Sequence, residues 1–357
     1  METLKKILVI NLGSTSTKVG IYLSDKALIT ESVTHSSEEL KEFTTIFDQY
    51  ELRRNAILSV LGKHEVSLDE LDAIASRGGN TKPIPGGIYR ICPEMIDDTR
   101  SGKFGMHPNV IGCMVAYDLG REKDIPAVSI DHPTTDELCV YARYSGLPQI
   151  KRQSSFHALN QKATARKISA LLGKSYDETR LIVVHIGGGI SVGAHRNGKV
   201  IDVNNALDGD GPFSPERAGT LPTGDLIKMC FSGEYTKEQM LRLIQGQGGL
   251  VAYLGTSSGI EIEKRIAAGD KEAAEVFEAM SYQIAKEIGA CAAVLEGKVD
   301  GIALTGSLAY SKTLTESLIP KISFIAKVYL DPGENEMDAL AAGVMRYFDG
   351  KEPIATY

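Results

Sequence analysis

Apolar and polar positions fall into short blocks along this chain, and the opening block is the most informative. Residues 7–10 form an aliphatic run, followed by a Gly/Ser/Thr stretch and a second run over 18–23. That pattern predicts strand, tight loop, strand. The segment RLIVVHIGGGISVGAHRNGKV, starting at Arg180, has the same layout. Residues 7–13 align with 181–187 without a gap, and one gap after the glycines brings Val19-Gly20 onto Val192-Gly193. Asn11 and His185 then occupy the same place, a single polar residue inside an apolar strand. The repeat predicts two related domains, each opening with the same hairpin.

Helical spacing appears between and after these hairpins. Leu52, Ala56, Ile57 and Val60 predict a helix over 51–62, and further helices are expected over 157–172 and 271–295. A strand is expected at 302–304, ending in Thr305-Gly306-Ser307. After a turn at Asp331-Pro332-Gly333, a last helix is expected over 336–348. A hinge is expected near 146–154, where Pro148 precedes Lys151-Arg152. The domains are therefore drawn as 1–153 with 336–357, and 154–335.

A length of 357 residues suits two domains with full cores. The net charge of −7, without a Lys/Arg stripe, argues against a nucleic-acid partner. Phosphate binding by such a chain needs a few placed cations rather than a basic surface. Five cysteines, with no C-x-x-C pair, argue against a disulfide framework or zinc site and fit a reducing compartment. Cys230 and Cys291 lie in helix-like runs and are expected in the core. The apolar run of METLKKILVI is too short for a signal peptide or a membrane span, so a cytoplasmic location is expected.

Two loops have phosphate-binding chemistry. In the first, Asn11, Ser14, Ser16 and Lys18 surround Gly13, offering amide, hydroxyl and ammonium donors. It is not a Walker A loop. The second places Gly187, Gly188 and Gly189 after His185, and three consecutive glycines imply that something approaches the backbone closely.

The motifs INLGSTSTK (10–18), SRGG (76–79), GMHPN (105–109), SID (129–131), SFHALN (155–160), HIGGGISVG (185–193), PERAGTLPTGDL (215–226) and PGENEMDALAAG (332–343) occur in order. Together they resemble the acetate and butyrate kinase family, a branch of the sugar kinase, Hsp70 and actin superfamily. The resemblance covers nearly the whole chain. It implies a duplicated two-domain α/β fold of the actin-like ATPase type, with an active-site cleft between the domains. It also implies ATP-dependent phosphorylation of a short-chain carboxylate to an acyl phosphate plus ADP, reversibly and by direct in-line transfer. HPTTDEL (132–138), PERAGTLPTGDL and the short chain resemble the butyrate branch. Acetate, propionate or a branched acid is the alternative substrate, and a non-catalytic nucleotide-binding regulator is the alternative function.

Carried over by motif, Arg77 is expected to hold the substrate carboxylate, with His107 lining the same site. Asp131, His157 and Arg217 join Arg77 as catalytic residues. Asn11, Ser14, Ser16, Lys18, His185 and Gly187–Gly189 are expected to hold nucleotide phosphates, and Gly306 and Ser307 to lie near the nucleoside. Glu336, with Asn11, is expected to help hold Mg2+. Ser257, Ser258 and Ile260 stand where relatives usually carry Asn-Asp and an Arg, which bears on nucleotide affinity. No membrane partner is implied, and a homo-oligomer, dimer or higher, is.

Overall fold

The computed structural model of the protein describes residues 4–105 and 108–357. Twelve strands form among them: β1 (Lys6–Leu12), β2 (Ser16–Leu23), β3 (Lys26–Thr34), β4 (Ala73–Ser76), β5 (Ile88–Arg90), β6 (Ala127–Ile130), β7 (Arg180–Ile186), β8 (Ile190–Arg196), β9 (Lys199–Val203), β10 (Gly301–Gly306), β11 (Val328–Pro332) and β12 (Ile354–Ala355). The chain separates into two compact units, Met1–Thr135 with Asn335–Tyr357, and Asp136–Glu334.

In the first unit the sheet order is β12-β5-β6-β4-β1-β2-β3. Strand β1 runs parallel to β4 and antiparallel to β2. Its residues from Ile7 to Leu12 are all buried, and a strand covered on both faces needs an unbroken apolar run. Edge strand β3 instead alternates and carries Lys26 and Glu31, which discourage further strand pairing. The helices Tyr50–Lys63 and Asn109–Lys123 contribute Ile57, Leu61, Ile111 and Val115 to the core. The helix Glu336–Phe348 packs on β1, β4 and β6. Its close approach depends on Gly343, where a Cβ would stand 2.3 Å from Ile130 Cδ1.

In the second unit the order is β11-β10-β7-β8-β9. The helix Ala158–Leu171 packs on β7 and β10, and the helix Lys271–Val294 packs on β7, β8 and β9. The repeat predicted from sequence holds at the level of hydrogen-bond register. Val9 pairs with Gly20 in the first hairpin, and Val183 with Gly193 in the second. Each hairpin's second strand then slips register against its third, between Ile21 and Tyr22 and between Ala194 and His195. These are matching positions in the alignment.

The units divide at Thr135/Asp136 and not at 153/154, because residues 136–153 are held by the second unit. Lys162 Nζ donates to Glu137 Oε1 at 2.8 Å, with both side chains almost fully buried. Val200 N–H donates to Glu137 Oε2 at 2.8 Å, and Arg152 pairs with Asp202 at 2.9 Å. Arg152 is therefore held by packing partners, while Lys151 beside it is exposed. Replacing Lys162 by Met is expected to cost about 3–5 kcal/mol, because it strands a buried carboxylate. Urea unfolding of the variant checks this.

Three smaller expectations also change. Strand β11 continues through Pro332, so the reversal begins at Gly333. Cys291 is buried but Cys230 is exposed, on a helix, Thr223–Cys230, that buries no residue. Among the described residues, no helix is long and apolar enough to cross a membrane.

Candidate active site

The first unit places three predicted residues in direct contact. Strands β1, β4 and β6 run parallel, and Ile10, Ser76 and Ser129 lie in one row across them. Asn11 and Arg77 follow that row directly and Asp131 follows it after Ile130, all at the carboxyl ends of the strands, where α/β sheets place ligands. Glu336 opens its helix over the same edge. Asn11 Nδ2 donates to Glu336 Oε2 at 2.7 Å, and Arg77 pairs through NH2 with Glu336 Oε1 at 3.1 Å. One carboxylate thus orients an amide and a guanidinium.

Asp131 is buried, with φ of 44°. Its Oδ1 accepts from Gly87 N–H at 2.9 Å, and its own N–H donates to Gly87 O at 3.0 Å. A left-handed conformation costs a non-glycine residue roughly 1–2 kcal/mol, so these bonds fix the residue against its own preference. Its neighbour His132 is fully buried, and burial lowers its pKa to about 4.

The hairpin loop is closed by Gly13 N–H donating to Ser16 O at 2.9 Å. Ser14 and Lys18 are exposed, and Lys18 sits opposite Asn11 in the ladder. Beneath the loop lies Arg53, fully buried, donating to Ser16 O at 2.8 Å and Ser14 O at 2.9 Å. Burial lowers its pKa, although an arginine remains charged. The sequence reading missed Arg53. The available signal was its position four residues before Ile57, in line with the helix's apolar face.

The second unit gathers its predicted residues more tightly. His157 caps the helix Ala158–Leu171, and its ring stacks on His185 at 3.7 Å and 9°. Nδ1 of His157 lies 3.0 Å from Ser191 Oγ. The three glycines of the following loop have a packing role that the sequence did not reveal. None has positive φ. A Cβ on Gly189 would sit 1.7 Å from Arg217 NH1, and one on Gly188 would sit 3.2 Å from the Glu216 carboxylate. On Gly187 it would meet His185 Nε2 at 3.0 Å. The close approach is thus made by the protein's own side chains. Arg217 also donates to Ala206 O, and burial pulls its pKa below the usual value, opposed by Glu216 and Asp208.

Gly306 (φ 88°) has no room for a side chain, since a Cβ would lie 2.5 Å from Ile186 O. Ser307 is exposed, with its Oγ 3.7 Å from the Cβ position of Gly187. Ser258 caps the helix Gly259–Ala267, and Ile260 is exposed. His107 lies outside the described residues. Among those described, no group of three or more His, Cys, Asp or Glu side chains is arranged to hold a metal ion.

Two sheets, each opened by the same hairpin and each carrying polar residues at its strand ends, define the duplicated α/β fold of the actin-like ATPases. An acetate kinase from Porphyromonas gingivalis superposes with a TM-score of 0.78 at 22% identity, covering 95% of this chain and 99% of that one. A propionate kinase from Francisella tularensis gives 0.74 at 17% identity, covering 95% and 98%. The acetokinase family model matches residues 139–347. A probable butyrate kinase of Clostridium botulinum strain Alaska E43 is 50% identical over 99% of both chains, and one from strain Eklund 17B is 49% identical over 99% of both. The chain belongs to the acetokinase family.

Proposed function

We propose that this protein transfers the γ-phosphoryl group of ATP to the carboxylate of a short-chain fatty acid, butyrate first among them, giving ADP and an acyl phosphate. The observation that carries the chemistry is the contact of Arg77, Glu336 and Asn11. A guanidinium is held at the carboxyl ends of the parallel strands β1, β4 and β6, where an anion can be received. Full-length identity of 50% to a probable butyrate kinase supports the choice of acid.

The acceptor is already an anion, so no strong base is required. The difficulty is bringing it to a polyphosphate, and catalysis of this kind is positioning plus charge stabilisation. In this reading Arg77 grips the carboxylate bidentately, and His107 is a second residue for substrate binding. One carboxylate oxygen attacks the γ-phosphorus in line as the bond to the ADP oxygen breaks. His157 and Arg217 stabilise the phosphoryl oxygens. Asp131, fixed by Gly87, belongs to the same catalytic group. Asn11, Ser14, Ser16, Lys18, His185 and the loop Gly187–Gly189 hold phosphates, with Gly306 and Ser307 towards the nucleoside.

Glu336 and Asn11 offer oxygen ligands that suit a magnesium ion taking its remaining ligands from water and phosphate. When bound, that ion supplies charge neutralisation for the phosphates. The five free cysteines support a cytoplasmic location. A homo-oligomeric state is supported by Ile227, Met229 and Phe231, exposed on and just after a helix without buried residues.

The test is a coupled assay with hydroxamate trapping, run from formate to hexanoate with and without magnesium. Turnover is expected to peak at four carbons, with neighbours about 10–200-fold poorer, the range one methylene provides. A peak at acetate would overturn the choice of acid. Absence of acyl phosphate from every acid would overturn the reaction.

A further inference from the structure

We infer that the second unit holds the stacked imidazoles of His157 and His185 in opposite tautomers, and that Ser191, Gln161 and Asn160 are the positioning residues that set them. The functional meaning of this arrangement rests on the role proposed above for His157.

Backbone carbonyls fix the directions, because a carbonyl can only accept. Gln161 lies 3.0 Å from Ser191 O, so the nitrogen of its amide must face that carbonyl. The same nitrogen donates to Ser191 Oγ at 2.7 Å. Gln161 offers that hydroxyl a donor and cannot take its proton, so the buried Ser191 O–H is directed to its other partner, His157 Nδ1, 3.0 Å away. A neutral His157 therefore carries its own proton on Nε2. The amide oxygen of Gln161 accepts from His195 Nε2 at 3.0 Å, and Tyr176 O–H donates to His195 Nδ1 at 2.8 Å. His195 is fully buried and burial lowers its pKa to about 3, so it remains neutral and the chain keeps one direction.

The partner ring is set the other way. Asn160 Nδ2 donates to Glu334 O at 2.7 Å, again a carbonyl. Its Oδ1 must then accept from His185 Nδ1 at 2.8 Å, which places a proton on Nδ1 and, in the neutral ring, the lone pair on Nε2. Two rings 3.7 Å apart thus carry their protons on unlike nitrogens, Nε2 in His157 and Nδ1 in His185. An N–H on His157 can donate to a phosphoryl oxygen, whereas a bare nitrogen there would repel it.

The experiment is nitrogen-15 NMR of the histidine-labelled full-length protein near neutral pH, using two- and three-bond proton–nitrogen correlations. The expected spectrum has His157 protonated at Nε2 alone and His185 at Nδ1 alone. In Ser191→Ala, His157 is expected to become a tautomer mixture while His185 is unchanged. Acyl phosphate formation is expected to fall about 10–100-fold in kcat with little change in KM for the carboxylate, the range seen when tautomer-fixing partners are removed at metal sites. A wild-type His157 protonated at Nδ1 or at both nitrogens would overturn the inference, and this needs no variant to fold. An S191A protein with an unchanged His157 spectrum would overturn it too. Opposite tautomers in a protein with no kinase activity would uphold it while removing the function proposed above.

Discussion

Replacing Arg77 by alanine is expected to lower kcat for acyl phosphate formation by about 10²–10³, the range typical for removing one charge-stabilising group from an active site. The physical cause is repulsion between reactants, because without the guanidinium a carboxylate must approach a polyphosphate unscreened. Arg77→Lys is expected to recover only part of the loss. An ammonium keeps the charge but not the planar fork that fits a carboxylate. The variant also frees Glu336 Oε1 from its ion pair. The coupled assay on butyrate measures both effects. An Arg77→Ala enzyme with wild-type turnover would remove Arg77 from the site.

Gly189→Ala is expected to cost about 10² in kcat, although the residue added is only a methyl group. That methyl takes the space of Arg217 NH1, and a guanidinium that touches glycine now would have to move. The step lost should be the one lost in Arg217→Ala. A double-mutant cycle checks this: if Gly189 serves Arg217, the double variant is no slower than Arg217→Ala alone. Additive losses, or a rise confined to KM for ATP, would show that the loop serves the nucleotide independently of the arginine.

The sequence exposed those parts of the fold that rest on local pattern. The helix Glu336–Phe348 forms over the residues its spacing predicts, and the two hairpins match down to their register slips. Such features repeat at short range, with alternation or an i, i+4 face as their signature. What sequence reading missed depends on distant partners. The boundary at Thr135 is set by Glu137 meeting Lys162 and by Arg152 meeting Asp202, and neither pair has a local mark. Arg53 reads as a surface charge until the carbonyls of Ser14 and Ser16 are seen above it. The candidate residues were legible through family motifs, but their connections were not. That Glu336 touches both Asn11 and Arg77, and that Gly189 makes room for Arg217, follows only from packing.

The bond between Asn11 and Glu336 joins residues 325 positions apart. A ribosome adding roughly 5–20 residues per second takes roughly a quarter of a minute to a minute to pass from one to the other. Within that interval the whole of Asp136–Glu334 is made, while the strands already synthesised wait without the helix that covers β1, β4 and β6. A nascent chain therefore carries the Asn11 hairpin long before the carboxylate that orients Asn11 and Arg77 has been made.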